Sequence, residues 1–348
     1  MRIVVSNLWP RAKYYDDVSE IAKKLRSYKG DPVIDACDKL ASIESFNDGG
    51  VDIGEFYKVN KTAKSEKLIT DESDVFGGLS PGDIAPEILR QYIFFTMVLR
   101  ALLLKNKGRI SAVVGYCSGI IPVLNAVASD ESECASLFRL PDQLFHQLSV
   151  QDASVTSNVT EKDVVMCMVR LRRTGVTREL FFEVLSSEVG KEVYVTDWKA
   201  DDVAAICAAR GVMTEFLARL SEEAGGDADP VRLVPHGGLH TPLAAPDRCF
   251  DLEGGEKWRR LFERVQQSDF VVWTSAGRPV DPTGRIDDFE TLMRDTLFRC
   301  VQTGKLVDWL RKSDDEIYCV GLPSVISDMF LGSGLRMRRD SIVGPAAL

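Results

Sequence analysis

The stretch Ile110-Ser-Ala-Val-Val-Gly115-Tyr-Cys117-Ser-Gly119-Ile-Ile-Pro122-Val-Leu124 joins two apolar runs through a turn bounded by glycines. The first run is short and β-branched and reads as a buried strand. The second reads as a helix that tolerates Pro122 in its first turn. Between them, Gly115-x-Cys117-x-Gly119 has the pattern of a nucleophile elbow, in which a tight strand-to-helix bend presents the central side chain and the glycines avoid a Cβ clash. The central residue is Cys117. A thiol just before a helix N-terminus faces free amides and the positive end of the helix dipole, which favour the thiolate. The backbone N–H of Ser118 is then placed to hold the oxygen of a carbonyl under attack. Ser118 is the rival nucleophile, but it stands one position off the centre of the elbow.

Working outward, residues 83–105 form a nearly all-round apolar helix that stops at Lys107-Gly108, just before the elbow strand. Residues 3–5 form a first strand, and residues 15–28 have helical spacing. The polar tract at 47–83 has little periodicity and reads as a long excursion. Downstream, strand-like runs at 164–171, 192–196 and 203–207 precede a helix at 214–223, the pattern of a small α+β insertion. Gly225-Gly-Asp-Ala-Asp-Pro230 closes it. Strands at 231–234, 271–274 and 317–320 follow, with 288–311 largely helical. Alternation of strand and helix on both sides of the insertion predicts an α/β protein with a mainly parallel sheet. Its ligands belong outside the carboxyl ends of the strands, where the elbow falls.

A cysteine nucleophile needs a proton acceptor, and the chain has three histidines, His146, His236 and His240. His240 lies in Pro235-His-Gly-Gly-Leu-His-Thr-Pro242, a loop after a strand, and is the preferred base. His236 is in the same loop and competes with it. His146 sits on a helical stretch and reads as structural. The eight cysteines show neither Cys-x-x-Cys pairs nor metal-ligand spacing, so the expectation is no metal and buried, reduced thiols for most of them.

A net charge of −9 and a pI near 5.1 argue against nucleic acid as a partner. The apolar run at 92–104 is too short to span a bilayer and is broken by Arg100, so no membrane partner is expected. The start reads as a strand rather than an export signal, which predicts a cytoplasmic protein. Two basic clusters, around Arg170 to Arg178 and around Arg336 to Arg339, are either solvated faces or docking points for an acidic partner.

Gly115-Tyr-Cys-Ser-Gly119 and the later Leu239-His-Thr-Pro242 resemble, in order and separation, the Gly-His-Ser-x-Gly elbow and histidine motif of the acyl-carrier-protein acyltransferases typified by malonyl-CoA:ACP transacylase. Cysteine at the elbow and the continuation Gly119-Ile-Ile-Pro-Val-Leu124 look most like the starter-unit ACP transacylase domains of fungal non-reducing polyketide synthases. The resemblance implies the acyltransferase fold. Its large subdomain is α/β-hydrolase-like, with a mainly parallel sheet, and occupies residues 1–159 and 225–348. A small ferredoxin-like α+β subdomain occupies residues 160–224.

The resemblance also implies a two-step transfer. Cys117 takes an acyl group from acyl-CoA or an acyl carrier protein, and His240 helps pass it to the phosphopantetheine thiol of a carrier. No bound cofactor is required, and adjoining polyketide synthase domains are implied partners. The family's Gly-Gln-Gly-type loop after the first strand is replaced by Val5-Ser-Asn-Leu-Trp-Pro10, so the second oxyanion donor falls to the backbone N–H of Asn7 or Leu8. Members that take malonyl groups carry an arginine on the helix after the elbow. Here Asp142 stands near that position, with Arg139 close by, which favours an uncharged acyl group.

Overall fold

The computed structural model describes residues 2–6, 21, 23–41, 81–128, 133, 164–171, 176–200, 203–225, 234–235, 240–241, 255–280, 289–320 and 337–342. The expected excursion at 47–83 lies mostly outside them, as do His146, His236, Arg139, Asp142, Asn7 and Leu8.

Strand β1 (Arg2–Ser6) lies at the centre of a six-stranded sheet. It pairs in parallel with β2 (Ile110–Gly115) on one side and β9 (Glu316–Val320) on the other. Beyond β2 come β7 (Val271–Thr274), also parallel, and the short antiparallel β8 (Pro279–Val280). Beyond β9 comes the parallel β10 (Met337–Ile342). The order β10-β9-β1-β2-β7-β8 means that the chain builds outward from β1 in one direction and later returns to its other side. A ligand crevice is expected at the carboxyl ends of the strands flanking such a switch point. Ser6 and Gly115 end β1 and β2 side by side there.

Strand parity divides the core into two layers. Ile3 and Val5 point with Ala112 and Val114 toward α8 (Thr303–Lys312), where Leu306, Val307 and Leu310 form the buried stripe. Val4 and Val113 point the other way, onto α1 (Pro32–Ala41), α2 (Pro81–Lys105), α3 (Ile120–Ala126), α6 (Gly255–Gln266) and α7 (Phe289–Phe298). Arg100, the charge inside the apolar α2, has a clear structural task. It binds Asp31 through Nε and Nη2 at 3.0 and 2.9 Å and donates from Nη1 to the carbonyl of Ala126 at 2.9 Å. Asp31 in turn accepts from the N–H groups of Val33 and Ile34 at the start of α1. One guanidinium therefore fastens α1, α2 and the end of α3 together.

The second sheet is antiparallel, with the order β4-β5-β3-β6. It comprises β3 (Val164–Arg170), β4 (Tyr194–Ala200), β5 (Val203–Ala209) and the two-residue β6 (Val234–Pro235). Helices α4 (Arg178–Leu185) and α5 (Arg210–Glu223) cover it, burying Phe181, Met213, Phe216 and Leu220 against Val165, Cys167 and Ile206. β6 follows residue 224 in the chain yet pairs with Val165 and Met166, so the chain leaves the small sheet only after this strand. The stretch 288–311 is two helices rather than one, because residues 299–302 are used otherwise. The N–H of Val301 donates to the carbonyl of Thr196 at 2.8 Å, and the N–H of Trp198 donates to the carbonyl of Val301 at 3.0 Å. Residue 301 thereby extends the edge of β4 and joins the two sheets.

Candidate active site

β2 ends at Gly115, and Cys117–Gly119 form a single 3₁₀ turn that runs directly into α3. Gly115 has no room for a side chain: a Cβ there would lie 2.5 Å from the Cα of Ile120. This is the close approach expected of the first elbow glycine. Gly119 caps α3 with an ordinary φ of −61°. The turn is anchored at both ends, since the N–H of Tyr116 donates to Ser6 O and that of Gly119 to Tyr116 O, each at 2.9 Å. Cys117 itself adopts φ 50°, in the left-handed region that a non-glycine residue occupies only when its surroundings enforce it. The sequence therefore folds into the expected strained bend, with Cys117 at its apex and half-buried.

His240 is the histidine that meets it. Its Nε2 lies 3.0 Å from Cys117 Sγ, although the two are 123 residues apart in the chain. His240 also has a positive φ, 64°, in a turn that follows β6. Its Nδ1 is buried, and no acceptor among the described residues completes a hydrogen bond to it. The backbone carbonyl of Arg299, just past the end of α7, is among the groups that favour a charged ring. Burial opposes charge on this imidazole. The Cys117 thiolate, its hydrogen bond, the Asp197 carboxylate and the Arg299 carbonyl together outweigh burial and raise the imidazole above its ordinary value. α7, which delivers that carbonyl, also packs against the elbow turn.

A second layer was not apparent from the sequence. Tyr116, Asp197 and Thr303 form a buried triangle beneath the pair. Thr303 Oγ1 donates to Asp197 Oδ1 at 2.8 Å, while the Tyr116 hydroxyl reaches Thr303 Oγ1 at 2.6 Å and Asp197 Oδ2 at 3.2 Å. The three come from the elbow, from β4 of the small sheet and from the first residue of α8. Burial, followed by the charge of Asp197, pushes the Tyr116 phenol well above its usual value, so it stays a donor. The available signals were an aspartate inside the otherwise strand-like Tyr194–Ala200 and the tyrosine next to the nucleophile. Trp198 stacks with Phe181 and Phe182 under Arg178, and Trp273 stacks on Trp309 at 4.6 Å between ring centroids. Among the described residues no group of histidine, cysteine and carboxylate side chains could hold a metal ion, and no helix is long and apolar enough to cross a membrane.

Strand order, a strained thiol at the carboxyl edge and a histidine from the far side define an α/β protein with a nucleophile elbow. No family model matches the sequence, and no curated protein sequence does either. Solved structures do match the fold. The malonyl-CoA:ACP transacylase of Synechocystis sp. superposes with a TM-score of 0.57 at 13% identity, covering 100% of this chain and 99% of that one. The acyl-carrier-protein S-malonyltransferase of Bartonella henselae gives 0.55 at 14% identity, covering 97% and 93%. The acyltransferase domain from the second module of the salinomycin polyketide synthase gives 0.54 at 14% identity, covering 96% of this chain and 66% of that one. The chain therefore has the acyltransferase fold of these proteins.

Proposed function

We propose that this chain is an acyltransferase that moves an uncharged starter acyl group from acyl-CoA or an acyl carrier protein, through a thioester on Cys117, to the phosphopantetheine thiol of an acyl carrier protein in polyketide biosynthesis. The observation that carries the reading is the 3.0 Å contact between Cys117 Sγ and His240 Nε2 at the carboxyl edge of a sheet with this fold. A thiol with an imidazole in reach is the minimal arrangement for nucleophilic acyl transfer. The Cys117 sulfur attacks the thioester carbonyl, and the backbone N–H of Ser118, with that of Asn7 or Leu8, receives the developing oxyanion. Collapse expels the first thiol and leaves acyl-Cys117. His240 then takes the proton of the incoming phosphopantetheine thiol as it attacks, and Cys117 departs. The preference for an uncharged acyl group rests on the sequence, where Asp142 stands near the position at which malonyl-specific members carry arginine.

The test is intact-mass measurement after incubation with acyl-CoAs of increasing length, alone and with holo carrier protein. The expected results are a single acyl adduct on Cys117 and mass gained by the carrier. Cys117→Ala is expected to abolish both, a loss of about 10⁴-fold or more. Free acid without a loaded carrier would identify a hydrolase, and an adduct that survives Cys117→Ala would overturn the assignment of the nucleophile.

A further inference from the structure

The contact that defines the site joins two sheets. Cys117 stands just beyond β2 of the large sheet, whereas His240 comes from the turn that follows β6 of the small one. Their 3.0 Å approach therefore depends on how the elbow is registered against the small sheet. We propose that Tyr116 is a positioning residue for Cys117, its hydroxyl tying the elbow to β4 and to the start of α8 so that the sulfur stays within reach of His240 Nε2. The inference rests on the reading of Cys117 as the residue that carries the acyl group.

Tyr116 is held through its backbone, its ring and its hydroxyl. Its N–H donates to Ser6 O at the end of β1, and its carbonyl accepts from the N–H of Gly119, each at 2.9 Å. The ring is buried with Val5, Val114 and Leu306, between the large sheet and α8. Phenylalanine would fill that space equally well. A buried hydroxyl costs free energy unless it is bonded, and this one is bonded across the seam. It lies 2.6 Å from Thr303 Oγ1 and 3.2 Å from Asp197 Oδ2. Asp197 belongs to β4, and Thr303, which donates to Asp197 Oδ1 at 2.8 Å, opens α8 two residues after the backbone bridge at 301. The tie holds in either protonation state of Asp197. A carboxylate accepts from both hydroxyls, and a carboxyl group can donate one bond and accept the other.

The position of this residue makes the tie matter to the sulfur. The peptide between Tyr116 and Cys117 carries the carbonyl bonded by Gly119, and the next rotation along the chain is the φ of Cys117, held at 50°. Such a conformation persists only where the surroundings over-determine it. The backbone bonds of Tyr116 fix the elbow within the large sheet, and the hydroxyl fixes it to the sheet that delivers the histidine. Without the hydroxyl the elbow keeps its shape but loses its register with the partner. A misplacement of about 1 Å costs about a hundredfold in a reaction that depends on near-attack geometry.

Tyr116→Phe keeps the ring and deletes the hydroxyl. Rapid-quench mass spectrometry over a range of hexanoyl-CoA concentrations gives the maximal rate of Cys117 acylation and the half-saturating concentration separately, on protein shown to be folded by urea titration. The maximal rate is expected to fall about tenfold, with half-saturation within about twofold. Thr303→Val removes the other end of the hydroxyl–hydroxyl contact and should give the same split. The double variant should be little slower than the slower single one, because both substitutions cut one tie. Thr303→Ser keeps a hydroxyl and should stay within about twofold of the unmodified protein. An unchanged maximal rate in Tyr116→Phe, even with lowered stability, would mean a merely structural role and would overturn the proposal, as would independent, multiplying effects in the double variant. If Tyr116→Phe does not fold, the contrast between Thr303→Val and Thr303→Ser decides, and equal rates in those two overturn the proposal. If the unmodified protein forms no acyl adduct, the acyl-transfer reading falls, and iodoacetamide labelling of Cys117 at pH 7 decides the role of Tyr116 instead. A nearby imidazole promotes the thiolate, so Tyr116→Phe is expected to label at least about threefold more slowly, and equal labelling overturns the proposal.

Discussion

The two sheets carry cysteines in opposite circumstances. Cys167 and Cys207 lie within β3 and β5 of the small sheet, Cys167 facing Met213 of α5 and Cys207 buried on the opposite face, and burial pushes each thiol up to about 12. Cys117 sits one step beyond the end of β2 in the large sheet, half-buried, at φ 50° and 3.0 Å from an imidazole. The residue type is the same. A strand interior gives a thiol apolar neighbours and a saturated backbone, whereas a parallel strand end gives it an unfinished helix and room for a partner. Chemistry in this molecule is made by position in the fold.

The largest effect expected from that contrast is in alkylation. A thiol at about 12 is ionised in about one molecule in ten thousand at pH 8. Iodoacetamide should therefore label Cys117 at least about a hundredfold faster than Cys167 or Cys207, read by peptide mapping against time. Comparable rates at the three positions would erase the distinction. Because His240 is raised in the folded protein, it binds its proton more tightly there than in the unfolded chain. Its contribution to stability is complete below about pH 6.5 and is lost as pH rises through the folded value. The labelling profile of Cys117 should bend in that same range, above pH 6.5, and those of Cys167 and Cys207 should not.

A smaller effect tests how the elbow is built. Gly115→Ala would place a methyl group 2.5 Å from the backbone of Ile120, which no side-chain rotation relieves. The expected cost is about 1–3 kcal/mol in urea unfolding, with slower alkylation of Cys117 as the turn shifts. A fully stable variant with unchanged labelling would mean that β2 and α3 do not pack as closely as described.

Much of this was legible in the sequence because local rules and tertiary packing agree. The strand at 110–115, the turn and α3 were readable from β-branching, glycine placement and a tolerated proline, and the strand at 271–274 was readable with the same bounds. His240 was chosen from three histidines by its loop context, and the structure brings it to Cys117. The helices at 178–185 and 255–266 stand outside the sequence-based expectations, whereas 288–311 is largely helical as expected, with a break inside it. The break at 299–302 has no strong local signal, because its reason is a backbone bridge to β4 more than a hundred residues away. Asp197 and Thr303 were hidden for the same cause. Each looks ordinary in its own segment, and only the docking of one sheet against the other gives them a partner.

That docking provides the mildest and most discriminating perturbation. Tyr116→Phe removes the hydroxyl that the large sheet contributes to the triangle but leaves Thr303 donating to Asp197 and the two backbone bonds of residue 301 intact. Tyr116 Oη is a neutral donor shared between two acceptors, and its loss leaves both of them a remaining hydrogen bond to each other. The cost should be near that of one net hydrogen bond, about 1 kcal/mol in chemical unfolding. A much larger loss would mean that the triangle, rather than the backbone bridge at 301, holds the two sheets together. No loss would mean that Tyr116 serves the elbow only through its ring, buried with Val5 and Val114. Either departure would change which part of the seam is taken to hold the small sheet against the elbow side of the large one.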